Sequence, residues 1–435
     1  ACYNYDPSDA MCPSWKGTRE RVHSPKGRAS LIREWLRLMA SRGVDVTDEA
    51  HQVRQKGFIR SLPSRVRNTL AKRKGDYDFS NEVHEAMMGC LACKSCVGQC
   101  PIKVNVPDFR ARFLEVYYGR YLRPMKDYLV GSLEYMIPTL SKFPAPYNWA
   151  MRNTLVKSAM RRIGGMVDSP VICTNSLAQG LDTRGIVWAT PETIEGLTEA
   201  QPERAVVIVQ DAFTSYFETR LVLDLVDLLG KLGFYVLVAP FMPNGKPLHV
   251  HGFMKAFDKA AKRNAQMLQQ IAAYEVPLIG IDPSMTLTYR QEYKDVIEGD
   301  LPPVQLIQEW LSSRLDNIER PAAASNMYRL MAHCTEKTSA APSLRQWQAI
   351  FAALGQQLEI VATGCCGMSG TFGHESDNLQ RSKDIYELSW RDIVNAPENK
   401  GSLVATGYSC RSQVKRFDDQ QLPHPVQALL AALQD

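Results

Sequence analysis

The 435-residue chain contains no run of 18 apolar residues free of charge. The nearest approach, LVLDLVDLLGKLGFYVLVAPFM at 221–242, is interrupted by two Asp and a Lys, so no transmembrane helix is expected. No charged-then-apolar leader opens the chain, and its first residue is Ala rather than Met; it reads as a segment of a longer or processed protein. It has no zinc finger, helix-turn-helix or aromatic RNA-binding signature, which leaves nucleic acid without a recognisable reader. It also has no glycine-rich dinucleotide fingerprint and no segment that reads as a flavin domain. With 45% hydrophobic and 22% charged residues, wholesale disorder is excluded, and the length predicts two or three domains.

What the chain does have is cysteine: eleven residues, without a secretion signal, which points to metal or redox chemistry in a reducing, cytoplasmic compartment rather than to a disulfide scaffold. Four of them fall in CLACKSCVGQCP at 90–101. This is the C-x2-C-x2-C-x3-C-P spacing of a bacterial [4Fe–4S] site. Soft thiolates suit an iron–sulfide core, and gaps of two residues let a short loop wrap three corners of one cube. Zinc is the competing reading, but zinc sites more often use two separated C-x2-C pairs or add His. Cys90, Cys93 and Cys96 need a fourth partner, and a second Cys-Pro, Cys12-Pro13, supplies one. Cys100 then points away toward a second cube, for which Cys2 is a further candidate ligand and the rest would lie upstream or be non-cysteine.

Charge is uneven. Residues 1–75 hold sixteen Lys/Arg against seven Asp/Glu, a net of +9 within an overall +5, so the remainder carries −4. A solvated basic face, a dock for an acidic partner domain, or a complement to a negatively charged thiolate cluster accounts for it.

The expected fold is α followed by α/β. Residues 1–150 read as a helical iron–sulfur domain: SPKGRASLIREWLRLMASRG (24–43) has Ser24 as N-cap, Pro25 at the first helical position and Gly43 as a stop, and 107–122 is a second amphipathic helix. The apolar and aromatic segment 125–151 reads as core or interdomain packing, with a peripheral membrane or quinone contact as the minor option. Residues 151–202 connect. Residues 203–322 and 323–435 then repeat one order of strands and helices. Strands are expected at 205–213, 234–240 and 277–282, and again at 328–334, 358–367 and 402–407, with a long helix near 374–392. Superposed, Asp211 stands opposite Cys334, Pro243-Asn244-Gly245 opposite Cys365-Cys366-Gly367, and Ser284-Met285 opposite Ser409-Cys410. The second block thus gathers four thiols at the carboxyl ends of strands, where open α/β sheets place ligands, and the first block has lost them. Four such thiols suit a metal or an unusual cluster. His333 reads as a ligand or proton-handling neighbour, or as a satisfied structural histidine; His374, His424 and Cys173 read as structural.

CLACKSCVGQCP, the upstream MCPSW…RERVHSPKGRASL, and HC…TGCCGMSGTFG…TGYSCRSQ resemble the iron–sulfur half of bacterial FAD-linked D-2-hydroxyacid dehydrogenases. The resemblance covers nearly the whole chain. It implies a helical ferredoxin-like [4Fe–4S] domain followed by two cysteine-rich CCG-type modules, the first degenerate. It further implies a flavin domain, outside this chain, that oxidises the substrate and passes electrons here. The acceptor would be a quinone or a soluble carrier, and the location cytoplasmic or peripheral at the inner membrane. A glycine- and cysteine-rich stretch that the family carries just before this start would hold the missing ligand of the second cube. Two rivals stand beside this reading: a zinc-stabilised scaffold, and a thiol–disulfide enzyme using Cys365, Cys366 and Cys410.

Overall fold

The computed structural model describes residues 2–200, 203–317 and 325–433; the boundary expected after 202 falls at the edge of the described residues and the one expected after 322 lies outside them. From Pro13 to Gly164 the described chain is helical and carries no named strand. The helix expected after Ser24 runs Pro25–Ser41, the Ser24 side chain accepts the Gly27 N–H, and Gly43 turns the chain at φ +71°. Its buried stripe of Ile32, Trp35 and Met39 packs with Val83, Met87, Phe113 and Tyr117 around the cysteine loop. The second expected helix runs Val106–Arg120.

The segment 125–151 splits into three short helices, Met125–Gly131, Leu133–Leu140 and Pro144–Arg152. Val130, Ile137 and Asn148 are buried, yet Phe143 is 66% and Trp149 68% exposed, so this stretch is packed on one side only. No helix among the described residues is long and apolar enough to cross a membrane.

Two parallel sheets follow. The first has the order β2-β1-β3-β4, with β1 Ala205–Ile208, β2 Tyr235–Val238, β3 Leu278–Gly280 and β4 Val304–Leu306. The second has the order β6-β5-β7, with β5 Met327–Met331, β6 Gln357–Ile360 and β7 Leu403–Ala405. Side chains alternate between faces. Val206 and Ile208 of β1, Leu330 of β5 and Val404 of β7 enter one core shared by both sheets. Val207 turns to the outer face of the first sheet, and Met331, Leu403 and Ala405 to the outer face of the second. Covering on both faces explains why these strands read as continuous apolar runs.

The two units also exchange helices. Pro425–Ala432, at the end of the second, packs on Thr219–Lys231 of the first, and Ile307–Ser312, after β4, packs on Ser343–Ala353 of the second. Neither β4 nor the last helix was expected from sequence. The long helix expected near 374–392 is instead two 3₁₀ turns, Phe372–His374 and Ser376–Asn378, then helices Leu379–Glu387 and Arg391–Asn395. The break falls where Ser389 Oγ accepts the Gly364 N–H at 2.9 Å, which ties the chain to the loop after β6.

Candidate functional site

The cysteine loop is built from unusual backbone. Cys90 follows the helix Phe79–Met88, and Ala92 and Lys94 both take left-handed conformations at φ +54° and +57°. Side chains resist that region, and its persistence at two non-glycine residues flanking Cys93 marks a loop held by its surroundings. Cys96 sits in the short helix Ser95–Gln99. Cys12, itself at φ +35°, precedes the helix Pro13–Thr18. Cys12, Cys90, Cys93 and Cys96 line one cavity, floored by Arg28 and closed by Pro25, Val106 and Pro107. Cys2 and Cys100 stay outside it, each part-exposed. At Cys100 the backbone N–H of Val104, with those of Ile102 and Lys103, draws the thiol below its ordinary value.

Burial pushes the Cys12 thiol up to about 12 and raises Cys96 as well. Ionised thiols here need positive charge nearby. The protein supplies some of it: Arg28, 1% exposed, reaches Cys12 Sγ at 3.9 Å with the same nitrogen that bonds His23 O, while its other two nitrogens bond Ala86 O and Ser14 Oγ. Lys16 is buried near Cys12 as well.

The second thiol set lies at the strand ends of the β6-β5-β7 sheet. Cys334 opens the helix Cys334–Ser339, Cys365 and Cys366 follow β6, and Cys410 lies in the first turn of Tyr408–Asp418. All four are buried. Cys334 and Cys365 share one buried cluster, and Cys366 and Cys410 share the adjoining one. Cys93 packs against the buried cluster that holds Cys334 and Cys365, so the first loop meets the second set directly. That contact and burial hold the Cys93 thiol well above its ordinary value. Two hydroxyls fasten the same loop: Thr335 Oγ1 donates to Cys93 O at 3.2 Å and Ser369 Oγ to Leu91 O at 2.7 Å. Among the described residues no three His, Cys, Asp or Glu side chains converge on a single ion. Four cysteine thiols on one cavity are the donor set that an iron–sulfur cluster would take.

The ladder register tests the expected repeat. Ile208 pairs with Val238 and Ile279, and Leu330 pairs with Ile360 and Val404. Counting from these pairs, Pro243-Asn244-Gly245 matches Cys365-Cys366-Gly367 and Ser284-Met285 matches Ser409-Cys410, as expected. Gly245 and Gly367 adopt φ +83° and +84°, which a side chain would strain. The first pair needs correction by one residue: Asp211 matches His333, and Ala212 matches Cys334. Asp211 and His333 do the same work at the start of the following helix, Asp211 accepting the N–H groups of Phe213 and Thr214 and His333 that of Thr335. The four thiols of the second unit are thus replaced in the first by Ala212, Pro243, Asn244 and Met285.

His333 Nδ1 accepts the Thr335 N–H and Nε2 lies 3.4 Å from Ser409 Oγ, so both ring nitrogens are engaged in structural contacts. His374 Nδ1 pairs with Val167 O, and His424 Nδ1 accepts the Val426 N–H. Cys173 is half-buried rather than buried and stands apart from both thiol sets. Sequence reasoning missed Arg28, Lys16 and Lys337, whose ammonium bonds Thr363 beside the second set. It also missed a buried ion triad. Glu292, 2% exposed, receives Lys94 at 3.1 Å and Lys246, and so ties the residue after Cys93 to the loop after β2.

No family model matches the chain, and no solved structure matches it. It is 54% identical over 432 residues to D-2-hydroxyglutarate dehydrogenase of Pseudomonas putida and 46% identical over 434 residues to that of Escherichia coli K12, in each case 99% of this chain and 42% of the relative. One polypeptide of the anaerobic glycerol-3-phosphate dehydrogenase of Escherichia coli K12 is 25% identical over 246 residues, 54% of this chain and 61% of that protein. The chain is therefore a relative of D-2-hydroxyglutarate dehydrogenases along nearly all its length, and spans about two-fifths of theirs.

Proposed function

We propose that the chain is the electron-transfer portion of an FAD-dependent D-2-hydroxyacid dehydrogenase, with D-2-hydroxyglutarate as substrate. Its first 150 or so residues act as a ferredoxin-like domain, and the two sheets as CCG-type modules. The substrate and flavin are handled by parts of the protein outside this segment, and a quinone or soluble carrier takes the electrons away. The cytoplasm, at or near the inner membrane, is the expected location.

The observation that carries this reading is the placement of Cys93, which lines one cavity with Cys12, Cys90 and Cys96 and also touches Cys334 of the second set. Cys12, Cys90, Cys93 and Cys96 would hold a [4Fe–4S] cluster, which when bound supplies one-electron redox chemistry. Cys100 and Cys2 would serve a second cube, and Cys334, Cys365, Cys366 and Cys410 a further cluster or metal. The protein's part is to hold these thiols in one dry path: Arg28, Lys16 and Lys337 offset thiolate charge, and the Ser369 and Thr335 hydroxyls fix the loop. A thiol–disulfide mechanism would need a thiol drawn low in the exchange set. Cys365, Cys366 and Cys410 are all raised, which weighs against it.

Iron and acid-labile sulfide on the anaerobically purified protein, with EPR after dithionite reduction, test the reading. Near-equal iron and sulfide with a reduced-cluster signal is expected, and Cys93→Ser should lose both. Zinc without sulfide or signal, or a Cys93→Ser protein with unchanged iron and unchanged signal, overturns it.

A further inference from the structure

Two guanidiniums converge on Gly89, the residue before Cys90. Arg381 Nη1 lies 2.5 Å and Arg28 Nη2 3.4 Å from the point that a Cβ on Gly89 would occupy. Arg28 comes from Pro25–Ser41 in the helical part, and Arg381 from the helix Leu379–Glu387 of the second α/β unit. Gly89 itself is at φ −76°, a conformation open to any residue, so its missing side chain serves room rather than backbone freedom. The stem of Arg381 passes a second glycine: a Cβ on Gly17 would meet Ile385 Cγ1 at 3.1 Å and Arg381 Cγ at 3.9 Å. Gly17 lies in Pro13–Thr18, the helix that follows Cys12 and packs on Leu379–Glu387. Two glycines, one near Cys12 and one beside Cys90, thus leave space for a single side chain from the other end of the chain.

No carboxylate balances this pair. Arg28 bonds the neutral oxygens of Ala86, His23 and Ser14, and the Cys12 thiol. Arg381 has no hydrogen-bond or ion-pair partner among the described residues. Glu20 and Asp384 act on it only from a distance, and burial together with the charge of Arg28 pulls its guanidinium below the ordinary value. Burial, Arg28 and Arg381 also hold the neighbouring His23 ring below its ordinary value. Like charges brought together away from bulk water repel more strongly than they would in it. Such a pair calls for an anion beside it. The groups placed to carry that charge are the thiols of the first cavity, which Arg28 lines together with Cys12, Cys90, Cys93 and Cys96.

We propose that Arg381 sets, together with Arg28, how readily the first thiol site takes up an electron, and that its charge is delivered by the second α/β unit. This deepens the electron-transfer reading and rests on it. Each electron taken up at a four-thiolate site adds one negative charge, so a cation nearby favours the reduced state over the oxidised one. Arg381 makes and breaks no bond and gives up no proton; it acts by its charge alone. Because that charge belongs to the second unit, the linkage runs both ways. Seating the second unit on the helical part favours reduction, and reduction tightens the seating.

The test is an EPR-monitored redox titration of the full-length, anaerobically purified holoprotein, with iron release to a chelator as a second readout. Arg381→Met should shift the midpoint to more negative potential. The reduced-to-oxidised ratio at the wild-type midpoint should fall about fivefold, the scale of one partly screened charge. Iron release should quicken about tenfold. Arg381→Lys, which keeps the charge, should restore most of both. Gly89→Ala, whose new carbon would crowd Arg381 Nη1 at 2.5 Å, should move the midpoint the same way and add little in the Arg381→Met background. An unchanged midpoint in an iron-loaded Arg381→Met protein overturns the proposal, as does an Arg381→Lys protein shifted as far as the Met variant. Should Arg381→Met fail to retain iron, Gly89→Ala decides, and an unchanged midpoint there overturns the proposal as well. A wild-type protein without a reduced-cluster signal would instead defeat the underlying electron-carrier reading, before any variant is compared.

Discussion

Replacing Glu292 by Gln removes the acidic centre shared by a buried lysine, Lys94, and a half-buried one, Lys246. Desolvation works to raise the Glu292 carboxyl, but Lys246 and Lys94 hold it down at about 2 against an ordinary 4.5. A displacement of that size corresponds to about 3 kcal/mol of native-state stabilisation. Because the folded value lies below the unfolded one, that stability is fully present above about pH 4.5 and is lost as pH falls toward about 2. The substitution also strands two ammonium groups without a counter-charge, and breaking a buried pair costs about 3–5 kcal/mol. Urea unfolding of the anaerobic holoprotein near pH 7, followed by tryptophan fluorescence, should show a loss in that range, with iron released earlier because Lys94 follows Cys93 directly. Adding Lys94→Met should recover part of the loss, since the second change removes one stranded charge. The variant should also lack part of the wild-type acid slope between about pH 4.5 and 2.5. A loss below about 1 kcal/mol, the scale of an exposed pair, together with an unchanged acid slope, would refute the buried-triad account.

Burial raises the Glu134 carboxyl to about 7, against the N–H groups of Gly245 and Asn244 that it accepts. A raised carboxyl makes stability fall as pH rises from about 4.5 to 7, so Glu134→Gln should flatten that stretch of a stability–pH profile. A Cβ on Gly98 would meet Thr338 O at 2.2 Å; Gly98→Ala should lift the cysteine loop from the second α/β unit and increase proteolysis within 90–105, read by limited digestion. Gly367→Ala meets Ser382 O at 2.2 Å and a φ of +84°. It should cost about 1–3 kcal/mol, seen as a lower denaturation midpoint. Arg28→Met removes the cation beside Cys12 and leaves Ser14, His23 and Ala86 without their donor. A more negative midpoint potential in an EPR-monitored redox titration is expected, because the reduced, more negative state loses a stabilising charge.

Local rules were legible from sequence where the backbone enforced them. Ser24 and Gly43 bracket a helix because a cap and a left-handed turn need those residue types. Gly245 and Gly367 betrayed the repeat because both loops require positive φ. The pairing of Asp211 with Cys334 went astray by one residue because each reads in sequence as the end of a strand, whereas the strands stop at Ile208 and Met331. Only the ladder, with Ile208 opposite Val238 and Leu330 opposite Ile360, fixes which residue opens the next helix. The helix expected near 374–392 failed at Ser389, whose hydroxyl answers a backbone group 25 residues away. The grouping of Cys12 with Cys90, Cys93 and Cys96 followed from spacing and a repeated Cys-Pro. The contact of Cys93 with Cys334 did not, because it depends on how the helical part sits on the second sheet. Glu292, Arg28 and Arg381 were invisible for a related reason: a charged or titratable residue reads as surface until its long-range neighbours are known.

The fastening of the cysteine loop bears on how such a protein can be rearranged by gene fusion and fission. Leu91 O and Cys93 O are capped by hydroxyls from Ser369 and Thr335. Gly98 lies against the Thr338 backbone so closely that a single carbon would not fit between them. The fastening of the loop that carries the first thiols is thus written some 240 to 280 residues downstream of it. A recombination point between the helical part and the last sheet would separate a socket from its plug. The two ends of this segment are therefore expected to be inherited together, with exchange tolerated at the outer edges, before Cys12 or beyond the closing helix Pro425–Ala432.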